Sequence, residues 1–207
     1  MLTEEFIEDL ASSAPTPGGG GACACVGALA AALASMVGNI TVSNQKYANT
    51  HEQMRASVNR LKNTRKNLLR LIDLDAEAFA SMSAAFKMPA DTSEQIASKE
   101  LALNSALIQA CDIPLDIMQE CADVLDECKM LVRNGSRMVV SDAGVAAVFA
   151  KAAIKGAALN VCINTEWMTE ESLAKQYMNK VHRIMSENDS LADEIYAHVL
   201  ERVGGGE

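Results

Sequence analysis

An aspartate, Asp75, stands between Ile72 and Phe79 on what otherwise reads as the apolar stripe of a long helix. Burying an isolated charge costs more than a helix can offset, so this carboxylate must be paired, protonated or turned toward a cavity. An ion pair with Arg65 of a neighbouring or symmetry-related helix is one outcome; a carboxylate poised for proton transfer is the other. Asp73 lies off the stripe and belongs in solvent. Later in the chain, Asp142, Phe149, Ala153, Gly156, Asn160 and Asn164 fall on one line of a second helix, because their separations are close to whole turns. Amides on an inner face are held by hydrogen bonds, so Asn160 and Asn164 either grip a heterocycle or cross-link helices. Lys151 and Lys155 share a different face and read as solvated.

Bare backbone is the third candidate. "PTPGGGG", Pro15 to Gly21, places four of the chain's 12 glycines side by side where an alanine-rich helix begins. Glycine runs cost backbone entropy and are kept where φ > 0 is needed or where something approaches the main chain closely. No Lys-Ser/Thr follows at P-loop spacing. "GGGACA" satisfies G-x-G-x-x-A, but Pro17 occupies the place of a preceding strand and no acid follows about twenty residues on. What survives is a helix N-terminus with unpaired N–H groups and no Cβ in the way, or else a tight turn that lets two helices touch.

Composition narrows the partners. The 18 Lys+Arg against 27 Asp+Glu give a net charge of −9, a field that repels nucleic acid and anionic membranes. An anionic substrate therefore needs a local basic patch. The six cysteines show no C-x-x-C and the three histidines no H-x-x-x-H, so no metal site is expected and the thiols read as buried, free and cytoplasmic. The stretch from Leu10 to Gln45 carries no charged residue. Its side chains are mostly small and no basic segment precedes it, so it reads as a central helix rather than a membrane span.

These groups need a frame, and hydrophobic residues at 49% with aromatics at only 4% favour helices. The expected fold is all-α: one domain over 1–207, an elongated up-and-down bundle of long helices that dimerises by helix packing. Thr3 to Ala11 reads as a short amphipathic helix and Gly20 to Val42 as a core helix or dimer seam. Asn49-x-x-Glu52 offers a capping box for a helix that runs past Phe86 toward Pro89. Its apolar positions Met54, Val58, Leu61, Leu68, Ile72, Phe79, Met82 and Phe86 follow a 4,3 step if Arg65 and Asp75 fill two places. That spacing, over more than about 50 Å, resembles a coiled-coil seam against a partner. Asp91-x-x-Glu94 and Thr92-x-x-Gln95 both offer the next start, Pro114 predicts a kink or restart, and Gly135 a stop. Ser141 or Asp142 is expected to cap the second small-residue helix. Two amphipathic helices, Thr169 to Glu187 and Ser190 to Val203, and a frayed "GGGE" complete the chain.

"PTPGGGG", "KY" at Lys46-Tyr47, "LIDLDAEAF" at Leu71 to Phe79, "SDAGVAA" at Ser141 to Ala147 and "GAALNVCIN" at Gly156 to Asn164 occur in this order across nearly the whole chain. Together they resemble the cyclodeaminase/cyclohydrolase family of folate enzymes. Two places depart from it: Gly21 stands where Ser is common, and "GSR" at Gly135 to Arg137 replaces a Gly-Asn-type turn. The resemblance implies a helical dimer with a folate site near its interface, a tetrahydrofolate derivative as substrate, and no cofactor. It also implies the closing of 5-formiminotetrahydrofolate to 5,10-methenyltetrahydrofolate with loss of ammonia. Hydrolysis of methenyltetrahydrofolate is the alternative reaction, and a non-catalytic helical dimer binding folate or protein the alternative class. On this reading Asp75 or Asp142 is the acid/base. Asn160 and Asn164 orient the pterin or a neighbouring helix, Pro17, Gly18, Gly19 and Gly20 admit the ligand, and Lys46 with Tyr47 receives the glutamate tail.

Overall fold

Few aromatic residues and many alanines leave little side chain to hold helices apart, and the backbones here come close. The computed structural model describes residues 4–204, and among these there are helices and no strand. They are α1 (Glu4–Ala11), α2 (Gly19–Val42), α3 (His51–Phe86), α4 (Ser93–Asn134), α5 (Val140–Thr165) and α6 (Glu171–Gly204), with 3-10 turns at Gln45–Thr50 and Arg137–Val139. α4 is central and touches α2, α3, α5 and α6, while α2 packs on α3 and α5. Alanines 24, 30, 31 and 34 of α2 and 143, 146, 147 and 150 of α5 have no exposed surface. A Cβ at Gly27 would strike Cys121 Sγ and one at Gly156 would strike Cys23 Sγ, so buried thiols fill the notches that glycine leaves.

α2 and α5 run antiparallel. The Ser136 N–H donates to Thr41 Oγ1 (2.9 Å) at one end, and Gly19 lies beside Asn160 at the other. On length and composition α2, α4 and the 137–165 segment could each cross a membrane; in this fold they form the middle of the bundle. All six cysteines are free. Burial pushes the thiols of Cys23 up to about 11 and of Cys111 and Cys128 to about 12, which keeps them protonated.

Several boundaries differ from the sequence reading. α3 opens at Thr50 with no side-chain cap, because 45–50 is already wound as a 3-10 turn capped by Asn44. Its buried line runs through Met54, Ser57, Leu61, Thr64, Leu68, Leu71, Ala78 and Ala85. Thr64 therefore takes the place expected for Arg65, which lies off the core line. The line still passes through Asp75, one 4,3 step beyond Leu71. The 36 residues of α3 lie along the 42 of α4, so a helix of this length finds its neighbour within the chain.

Thr92 starts α4 with a complete capping box to Gln95, and the helix runs unbroken through Pro114. Proline removes one N–H and frees the carbonyl four residues back. That carbonyl, Ala110 O, accepts from Asn164 Nδ2 of α5 at 2.6 Å. α5 begins at Val140, one residue before Ser141, with Asp142 inside its first turn rather than at the cap. α6 is one helix where two were expected: Asn188 is buried and bonds back to Ile184 O (2.8 Å), and Asp189 pairs with Lys151 and Lys155 of α5. Those two lysines are thus engaged rather than free in solvent. Gly204 closes α6; Thr3 and 205–207 lie outside the described residues.

Candidate active site

A cavity of about 290 Å³ opens where the N-terminus of α2 meets α3, α4 and the C-terminal half of α5. Pro15, Thr16, Gly18, Gly19 and Gly20 form one wall; Asp75, Ala78, Phe79 and Met82 of α3, Ala110 of α4, and Asn160, Ile163, Asn164 and Trp167 complete it. Pro17 is not in the wall. Its ring packs under the first turn of α2, 3.6 Å from where a Gly21 Cβ would stand.

None of the described glycines has positive φ, so the run exists for close approach. A Cβ at Gly20 would run into the Asp75 carboxylate. At Gly21 it would meet Ile72, Pro17 and Asp75 only at ordinary contact distance. The Gly21 N–H donates to Asp75 Oδ2 at 2.9 Å. Asp75 therefore caps α2 from another helix, where the end of the helix dipole favours negative charge. Burial pushes the Asp75 carboxyl above the usual carboxylate range, and the Gly21 N–H opposes this in part.

Each amide spends one N–H on the main chain: Asn160 Nδ2 donates to Gly156 O (3.0 Å) and Asn164 Nδ2 to Ala110 O. Each keeps its Oδ1 acceptor and a second N–H. The pocket's polar side chains are thus a carboxylate, two amides and the Thr16 hydroxyl, with no Lys or Arg in the wall. Such a lining suits a planar ligand rich in N–H groups, or one that carries positive charge at a C–N bond.

Asp142, Lys46 and Tyr47 stand elsewhere. Asp142 precedes Asn160 by about 27 Å along α5, and the 24 residues of α2 put Lys46 about 36 Å from the glycines. At that far end the Arg137 N–H donates to the Tyr47 hydroxyl (3.2 Å), which lowers the phenol's pKa, with the nearby Lys46 and Arg202 as smaller contributors. Of the ten site residues read from sequence, one protomer assembles Asp75, Gly18, Gly19, Gly20, Asn160 and Asn164 around a cavity. Sequence reading missed Trp167, Ile163 and Thr16. The signal for Trp167 was its being the chain's one tryptophan, placed just past the end of a small-residue helix.

A half-buried carboxylate stands at the glycine-lined mouth of an alanine-packed bundle, facing a cavity large enough for part of a small molecule, and such a group is able to take or give a proton there. A family model described as formiminotransferase-cyclodeaminase matches residues 2–183, and the chain belongs to that family. It is 36% identical over 200 residues to the methenyltetrahydrofolate cyclohydrolase of Methylorubrum extorquens, covering 97% of this chain and 96% of that one. The rat formimidoyltransferase-cyclodeaminase is 31% identical across 88% of this chain, which spans 34% of the rat protein's length. The crystal structure of formiminotetrahydrofolate cyclodeaminase from Thermotoga maritima superposes with a TM-score of 0.81 at 27% identity, covering 99% of this chain and 96% of that one.

Proposed function

We propose that the protein is a formiminotetrahydrofolate cyclodeaminase. N10 of 5-formiminotetrahydrofolate adds to the formimino carbon, Asp75 takes the N10 proton and delivers it to the amino nitrogen, and the C–N bond to that nitrogen breaks to release ammonia. The product is the 5,10-methenyl cation. The observation that carries this reading is Asp75: a carboxylate whose pKa is raised by burial, held by one backbone N–H, at the edge of a cavity whose other polar side chains are two amides and a hydroxyl, with no Lys or Arg. A carboxylate there shuttles the proton and stabilises the amidine and methenyl charges. The folate is the substrate, and the chemistry calls for no resident cofactor.

The full-length likeness to a cyclohydrolase favours a second reading at the same site. Asp75 then deprotonates a water that adds to the methenyl carbon. The bond to N5 breaks as the carbinol proton passes to it, leaving 10-formyltetrahydrofolate. Methenyl absorbance separates the two: it rises when 5-formiminotetrahydrofolate is supplied in the first case and falls when methenyltetrahydrofolate is supplied in the second. No change with either substrate would remove both.

The proposal includes a homodimer in the cytoplasm; the free thiols agree with that compartment. Val26, Leu29, Leu33, Met36 and Ile40 of α2 repeat at 3,4 spacing on the side away from α4, none of them fully buried. Leu29 and Met36 are 40% and 38% exposed. α5 adds Val145, Val148, Leu159 and Ile163, all exposed, on one face of its own. Pairing α2 antiparallel with its copy carries the far end of one protomer to the pocket end of the other. Lys46 of the partner subunit, Tyr47 of the partner subunit and Asp142 of the partner subunit then approach the pocket. That supplies the cation for a folate carboxylate that this pocket's own wall lacks.

A further inference from the structure

The chain has eight aromatic side chains, one Trp, three Tyr and four Phe, and three of them gather at one end of the cavity. Phe79 and Trp167 line it. Phe86 meets the Trp167 ring edge-to-face, with centroids 5.3 Å apart and planes at 77°, which fixes the indole from behind. Even so, Trp167 remains 56% exposed and Phe79 37%. Large apolar surfaces left in water at a pocket mouth mark a place where a ligand covers them.

The cavity is polarised along its length. Asp75 and Asn160 mark the polar end; Phe79 and Met82 follow one and two turns later on α3, Ile163 follows one turn later on α5, and Trp167 lies just past that helix's end. We infer that Trp167 and Phe79 form an aromatic clamp for the p-aminobenzoyl ring of the folate, while the reduced pterin occupies the end beside Asp75. This rests on the folate reading above and adds to it which part of the substrate each end receives. Geometry gives the clamp a use. N10 joins the pterin side to the benzoyl ring, so gripping that ring fixes where N10 points, and the closing step depends on bringing N10 onto the carbon attached to N5.

The sole tryptophan makes the test direct. Titration with the unreactive 5-formyltetrahydrofolate, followed by tryptophan fluorescence for the wild type and by calorimetry for all forms, is compared with a 5-formyl-6-methyltetrahydropterin that lacks the aminobenzoyl group. The expected result is quenching in the wild type and a roughly tenfold weaker Kd for the folate in Trp167→Ala, with most of the loss recovered in Trp167→Phe. The tetrahydropterin should bind wild type and Trp167→Ala alike. Unchanged folate affinity in Trp167→Ala, or an equal loss for folate and tetrahydropterin, overturns the clamp and leaves the folate reading standing. Wild-type protein that binds neither compound removes the folate reading, and the clamp with it.

Discussion

Asp75 has two tasks that pull against each other. It caps α2 through the Gly21 N–H, which favours its charge, and it is buried beside a cavity, which disfavours it; burial is the larger effect. Its folded pKa lies above the unfolded value near 3.9, so the fold binds its proton more tightly than the unfolded chain does. The resulting stabilisation is fully present below the ordinary aspartate range and is lost as pH rises through the folded value. Asp75→Asn keeps an acceptor for Gly21 without the charge. Its thermal midpoint at pH 7 should equal or exceed that of wild type, with the difference closing toward pH 3; a lower midpoint at pH 7 would contradict this. If the ionised form is the base, the acid limb of kcat/KM lies above about pH 4, the range of an ordinary aspartate. The neighbouring glycines should differ sharply. Gly20→Ala drives a methyl into the Asp75 carboxylate and should abolish turnover, whereas Gly21→Ala meets only ordinary contacts and should retain it, as steady-state assays of both will show. Asp75 was legible in the sequence because it interrupts an apolar stripe. That Gly20 exists to admit it was not, since the reason lies on a helix 55 residues away.

Among the helices, the coupling of Pro114 to Asn164 shows why periodicity alone misplaced some features. Proline in a helical pattern predicts a break, yet α4 continues because α5 supplies a donor for the carbonyl that proline releases. Asn164→Ala leaves Ala110 O without that partner and should cost about 1–3 kcal/mol. In a Pro114→Ala background the restored N–H serves the same carbonyl, so the cost of Asn164→Ala should shrink; denaturant unfolding of the two single variants and the double measures the coupling. Equal costs in both backgrounds would show that the amide does not act through this carbonyl. The same kind of tertiary help holds α6 together, where Asn188 and the lysines gripping Asp189 override a polar stretch that reads as a gap. The all-helical class, the extent of α2 and the start of α4 could be read from the sequence, because caps and small-residue runs are local; the number of helices could not, since α4 and α6 each run through an expected break. The α3 register could not: Ser57 and Thr64 are buried where close packing on α2 and α4 prefers short side chains to the larger apolar ones that a stripe search selects.

The whole molecule has a pocket at one end and, about 36 Å away along α2, Lys46 and Tyr47, which the sequence motifs grouped with it. A motif list carries no distance, so this separation was invisible until the helices were laid out. The proposed antiparallel pair would reunite the two ends, with the exposed apolar row on α2 as its seam. Leu29→Glu combined with Met36→Glu changes side chains that are already partly exposed in one protomer. It should leave helicity intact, turn a dimer into a monomer by sedimentation, and weaken folate binding; a variant that stays dimeric would place the seam elsewhere. In the proposed reaction, proton transfer by Asp75 is the step on which the account rests, and stopped-flow methenyl absorbance with Asp75→Asn measures it. The variant should bind 5-formyltetrahydrofolate about as well as wild type yet turn over roughly 10²- to 10⁴-fold more slowly, the usual share of a positioned acid/base. A folded Asp75→Asn protein with wild-type turnover would contradict that assignment.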